Sequence, residues 1–230
     1  MRAASLVRLE GQKYYRIVRV NHPKIGFIET MTNPADWDSV AKAIAKEDPS
    51  FSNAASNLLD LPIDRRVGGP GSSWVLIPFV YNSPDYPSRF TDGKFGIFYA
   101  GNSKEVALAE SIHHYSNFML TSSSGSRWSA DFQLLEGSTS GLLHDMDMVP
   151  GTLDPNDYRL SQRAGRELRN AGSDGLTWTS VRRPGERCIG VFWPNVVSIP
   201  ILSARYRYHW NGARVDLIKN LGTGEIMGWS

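Results

Sequence analysis

The chain has 230 residues, 41% of them hydrophobic and 21% charged, enough apolar matter to bury one globular core, with no run near the roughly 18 apolar residues of a membrane span. A formal charge of +2 with scattered Lys and Arg argues against a dedicated nucleic-acid binder, and the single Cys188 excludes an internal disulfide framework. With no apolar h-region behind Arg2, the expectation is a soluble cytoplasmic protein, residues 1–230 forming one domain.

Residues 13–20 are rich in aromatic and β-branched types and stop at Asn21-His22-Pro23, which predicts a strand carrying Arg16. Asn33-Pro34 offers a cap and a first-turn proline ahead of Trp37, Val40, Ala41, Ile44 and Ala45 at helical spacing. Residues 48–73, ending in Gly68-Gly69-Pro70-Gly71, read as loop, and those glycines either let a ligand approach closely or make only a turn. Residues 74–80 read as a buried strand that Pro78 demotes to an edge or bulge, and residues 95–100 as a second strand after the Asp92-Gly93 turn.

Ser103 can cap a helix to about Phe118, with Leu108, Ala109, Ile112, Tyr115 and Met119 on one side and Glu110, His113 and Asn117 on the other. A strand follows near residues 130–135, then a helix from Asp154-Pro155 to Asn170 that Gly172 terminates. Residues 176–179 and 188–193 are strand-like, and residues 205–210 and 213–218 form a hairpin across Asn211-Gly212. Interspersed helices and strands without a βαβ rhythm predict an α+β domain with a mixed, largely antiparallel sheet and flanking helices.

No Rossmann, P-loop or nucleophile-elbow motif is present. The adjacent His113 and His114 point about 100° apart on a helix and cannot grip one metal together, so no metal is expected. Cys188 lies among apolar residues and reads as a buried strand residue rather than a nucleophile. Glu110 is either a solvated helix glutamate or a working carboxylate; Arg16, between Tyr15 and Ile17, either snorkels to water or reaches an anion.

Four segments, in order, resemble the RES-domain family, named for its Arg, Glu and Ser. They are Tyr14-Tyr15-Arg16-Ile17-Val18, the stretch from Ser88-Arg89-Phe90 through Phe98-Tyr99-Ala100, Ala107-Leu108-Ala109-Glu110, and Gly175-Leu176-Thr177-Trp178-Thr179-Ser180-Val181-Arg182. The resemblance spans about residues 14–218, and many members carry Gly-Arg-Trp where this chain has Ser88-Arg89-Phe90.

The resemblance implies an ADP-ribosyltransferase-like fold and a toxin that cleaves NAD at the nicotinamide–ribose bond, with inorganic phosphate as acceptor and an Xre-type antitoxin as its neutralising partner. Transfer of ADP-ribose to a protein is the alternative, and a non-catalytic interaction domain the reading from another class. By resemblance, Glu110 would hold the ribose hydroxyls and stabilise the developing cation, while Arg16 and Arg89 would bind pyrophosphate or the incoming phosphate. Tyr99 would stack on or bond the nicotinamide ribose end, and Ser180 would donate to a phosphate or ribose oxygen. NAD is thus expected as substrate; nucleic acid and membrane are not expected as partners, and a homo-oligomer is compatible with the family.

Overall fold

The computed structural model describes residues 4–20, 33–47, 52–121 and 125–229. Among them eight strands form one sheet: β1 (Ser5–Arg19), β2 (Phe98–Gly101), β3 (Arg127–Asp145), β4 (Gly175–Thr179), β5 (Arg187–Val191), β6 (Ile201–Trp210), β7 (Val215–Asn220) and β8 (Ile226–Gly228). Their order is β1-β2-β5-β4-β3-β6-β7-β8, and β1 pairs with β3 as well. Every pairing is antiparallel except β3–β4. This is the mixed, largely antiparallel α+β sheet that the alternation of residue types predicts.

The double pairing of β1 matters for shape, because a strand cannot neighbour both β2 and β3 in a flat sheet that already runs β2-β5-β4-β3. The five strands therefore close on themselves. One edge of β1 runs along β3 from Ser5↔Asp145 to Arg19↔Phe132, while its other edge meets β2 through Tyr15↔Gly101. Strand β1 begins well before residue 13: its first half is mostly exposed and mixes Leu6, Val7 and Leu9 with Arg8 and Glu10, so no one-sided alternation marks it, and a bulge between Leu9 and Gln12 interrupts the register.

Five helices flank the sheet: α1 (Trp37–Glu47), α2 (Ser52–Leu59), α3 (Ser73–Val80), α4 (Lys104–Leu120) and α5 (Arg159–Asn170). Asn33 caps the 3₁₀ turn Pro34–Asp36 ahead of α1 by accepting from Ala35 N at 3.1 Å. The expected stop at Asn21-His22-Pro23 lies outside the described residues.

Residues 74–80 form a helix, not a strand. Ser73, Val75, Leu76, Ile77, Phe79 and Val80 are all buried, so no apolar period separates helix from strand, and Pro78 sits late in the helix where it removes one bond. Residues 48–73 are not all loop: α2 buries Ala54, Ala55 and Leu58, whose small size disguises an amphipathic turn, and a 3₁₀ turn follows at Ile63–Arg65.

Boundaries shift elsewhere for local reasons. Asp154 does not start α5 but accepts from Asn156 N and Asp157 N in a turn, and the helix begins at Arg159. Gly172, at φ +77°, ends it as expected. The second strand starts at Phe98 rather than residue 95, and α4 runs past Phe118 to Leu120. The strand expected over 188–193 stops at Val191, where Pro194 follows. In the last hairpin Trp210 pairs with Val215, and Asn211 Oδ1 accepts from Ala213 N and Arg214 N, so the loop holds four residues rather than two.

Apolar side chains collect in two clusters. Tyr14, Trp37, Leu58, Leu76, Phe98 and Trp193 belong to one, which α1, α2 and α3 cover. Helix α4 closes the other with Ile112, Tyr115 and Met119 over Phe132, Tyr208 and Trp210. At about 25 cal/mol per Å² of buried apolar area, these two clusters are the main source of stability.

Candidate active site

Glu110 owes its place to how α4 starts. Ser103 caps the helix, its Oγ accepting from Val106 N at 3.2 Å, and Val106 lies directly over Gly101 of β2. A Cβ at Gly101 would stand 2.5 Å from Val106 Cγ1, so only glycine lets the helix rest this close to the strand. Two turns on from the cap, Glu110 meets the open end of β4 and β5.

There its carboxylate is held from three sides. Arg182 Nη1 donates to Oε2 at 2.5 Å, Ser180 Oγ to Oε1 at 3.3 Å, and the Cys188 thiol approaches Oε1 at 3.8 Å. The Glu110 and Arg182 side chains are 24% and 20% exposed, so solvent screens their attraction only in part. Ser180 is buried and also accepts from the amides of Arg182 and Arg183, both at 3.2 Å, which folds the turn that carries Arg182. Burial, and then the charge of Glu110, push the Cys188 thiol up to about 12, so it stays protonated near neutrality, as the strand reading expected.

His113 lies one turn beyond Glu110, its Nε2 3.0 Å from Asn117 Nδ2. Burial, reinforced by the Arg182 charge, lowers its pKa and keeps the ring neutral near pH 7. Among the described residues no group of three or more His, Cys, Asp or Glu is placed to hold a metal ion.

Tyr99 shares a sheet face with Trp178, Ser180 and Cys188, as the registers Tyr99↔Gly190, Gly101↔Cys188 and Trp178↔Cys188 require. Its hydroxyl accepts from Phe90 N at 3.1 Å and lies 2.8 Å from Ser88 Oγ, and its ring meets Trp178 edge-on at 6.1 Å. Burial raises its pKa to about 12, which leaves a neutral phenol. Arg89 is buried; its guanidinium lies 4.7 Å over the Tyr158 ring and donates to the Asp154 carbonyl at 2.7 Å.

Arg16 does not snorkel to water. It lies on the other face of the sheet, 4.7 Å over the Phe98 ring, and Nη1 donates to the Tyr99 carbonyl at 2.5 Å. Its buried Nε has no hydrogen-bond partner. Burial lowers its pKa to about 10, against the pull of Tyr14 and Tyr99, so it stays cationic at neutral pH.

The fold thus joins Glu110 directly to Ser180 and ties Arg16 to Tyr99 through the backbone; Arg89 is held by Asp154 and Tyr158 instead of by any of these. Arg182 is the partner that residue patterning passes over. Its signal lay in the Ser180-Val181-Arg182 spacing, where two residues past the serine is the reach of a side chain folding back across a tight turn.

Comparison with known proteins gives the family. The RES-domain model matches residues 63–211. The uncharacterized protein y4oC of Sinorhizobium fredii (strain NBRC 101917 / NGR234) is 26% identical over 207 residues, covering 90% of this chain and 86% of the relative. A chain of the M. tuberculosis MbcT–MbcA toxin–antitoxin complex aligns over 87% of this chain and 85% of its own length, with a TM-score of 0.43 and 10% identity. The family model takes in β2 to β6 and with them Arg89, Tyr99, Glu110, Ser180 and Arg182, and the chain belongs to the RES-domain family.

Proposed function

We propose that the chain is the toxin of a toxin–antitoxin pair and cleaves NAD at the nicotinamide–ribose bond. The observation that carries this reading is the Glu110 carboxylate, partly buried and fixed by Ser180 and Arg182 at the end of the sheet. Breaking the C1″–N bond sends its electron pair to nicotinamide, which leaves as a neutral molecule, and leaves positive charge on the ribose C1″ and ring oxygen. Glu110 faces that charge and accepts from the ribose hydroxyls, the role carboxylates play at glycosidic centres. A neutral leaving group needs little protonation, so one carboxylate suffices.

An oxygen of inorganic phosphate then bonds to C1″, giving ADP-ribose-1″-phosphate. Arg89 supplies guanidinium charge for the pyrophosphate or for that phosphate, and Ser180 a hydroxyl. A cell that makes such an enzyme must restrain it, and the matching restraint is an Xre-type antitoxin that covers the Glu110 site.

The test is NAD incubated with and without phosphate, with products read by mass. Free ADP-ribose-1″-phosphate is expected; ADP-ribose attached to protein would replace this reading by protein ADP-ribosylation. Glu110→Gln should lower turnover on the order of 10²–10³-fold with an unchanged melting temperature. Near-normal turnover in that variant would remove Glu110 from the chemistry.

A further inference from the structure

A solvent-open cleft of about 130 Å³ lies between the end of α3, the 81–97 segment and β2, with Tyr99 in its wall. Tyr81, Tyr86 and Tyr99 contribute its rings and Ser83 and Ser88 its hydroxyls. None of the residues lining it is charged. Its volume is close to that of a cavity that takes one aromatic ring, and its lining sets tyrosine rings among hydroxyl and amide groups.

Three features say what would fill it. The lack of any cation makes it unsuited to pyrophosphate. Tyr99 is pinned by Phe90 N and Ser88 Oγ, so one wall is fixed in advance. Tyr86 stands 81% exposed at the rim, and the Tyr81 hydroxyl is buried with no hydrogen-bond partner, an unmet need that the polar edge of a bound ring relieves once the side chain turns toward it.

We propose that this cleft receives a planar heteroaromatic base of the substrate, nicotinamide or adenine, stacked against Tyr86 and Tyr99 and bonded at its edge by Tyr81. The assignment rests on the NAD reading above and adds to it which residues recognise the base. Nicotinamide and adenine offer the same chemistry, a flat π-face with an amide or amine edge, and experiment separates them.

Tyr86→Ala removes a ring whose exposure makes it dispensable for folding, and Tyr81→Phe removes a hydroxyl while keeping the ring. In steady state with NAD, Tyr86→Ala is expected to raise KM roughly tenfold, the usual worth of one stacking contact, with kcat changed less than about twofold, and Tyr86→Trp to restore KM. Calorimetric titration with adenosine 5′-monophosphate and, separately, with nicotinamide needs no turnover. Weakened binding of the first alone assigns adenine, and of the second alone nicotinamide. Unchanged KM together with unchanged affinity for both overturns the proposal. A wild-type protein that consumes no NAD defeats the functional reading instead, while the titrations still decide whether the cleft takes a base.

Discussion

Arg182 and Cys188 both touch Glu110, yet their roles differ, and the difference is measurable. Arg182 holds one carboxylate oxygen with a charged hydrogen bond, so it fixes the direction in which Glu110 presents the other. Displacement of a working group by about 1 Å can cost up to a hundredfold in rate. Arg182→Met is therefore expected to lower kcat between about ten- and a hundredfold while KM for NAD stays within about twofold, with Arg182→Lys recovering part of the loss. A Met variant with wild-type kcat would show that Glu110 needs no such partner. Cys188 contributes a neutral thiol, because burial and the adjacent carboxylate raise its pKa to about 12. The thiolate is the reactive form, so at pH 8 its fraction is far below that of an ordinary cysteine at about 8.5. Iodoacetamide should leave the native protein unmodified at that pH and label it only once unfolded, and rapid native labelling would contradict the buried placement.

At the scale of elements, what the chain announces are the pieces with strong local chemistry. The Ser103 cap and the 3.6-residue apolar stripe declare α4, and the Asn211-Gly212 turn declares the β6–β7 hairpin. What stays silent are pieces decided by their surroundings. Helix α3 is apolar on every side, so its period carries no information, and the first half of β1 is mostly exposed, so its apolar and polar residues follow no buried face. The site divides the same way: Glu110 stands out as the acid opposite a stripe, whereas its union with Arg182 comes from a contact across 72 residues that no local pattern encodes. Gly101 shows an element-level constraint acting on chemistry. Gly101→Ala would force its Cβ against Val106 and lift the start of α4, with overpacking of this kind costing about 1–3 kcal/mol. Because Glu110 rides on the same helix, both melting temperature and NAD turnover should fall in this variant. If the melting temperature falls and turnover does not, the seating of α4 is irrelevant to the carboxylate.

For the molecule as a whole, closure of the five-stranded ring is uneven. Its β1–β3 seam is long, whereas its β1–β2 seam has the single strand pair Tyr15↔Gly101. The Arg16 guanidinium crosses that short seam, bonding the Tyr99 carbonyl and lying over Phe98, and so acts as a side-chain staple where backbone pairing runs out. Resemblance gives Arg16 a different task, binding the anionic part of NAD, and one substitution separates the two. Lysine keeps the charge but loses the planar fork and its fit over the ring. As a staple, Arg16→Lys forfeits a charged hydrogen bond and part of a cation–π contact, about 2 kcal/mol together, or roughly 4–8 °C in melting temperature for a chain of this size. Hydrogen exchange should then quicken at the β2 amides of residues 98–101 while the β1–β3 ladder stays protected, since only the weak seam has opened. As an anion ligand alone, the same variant would raise KM for NAD with melting and exchange unchanged. The seam geometry predicts the first outcome, and protection of β2 equal to that of the wild type would refute it.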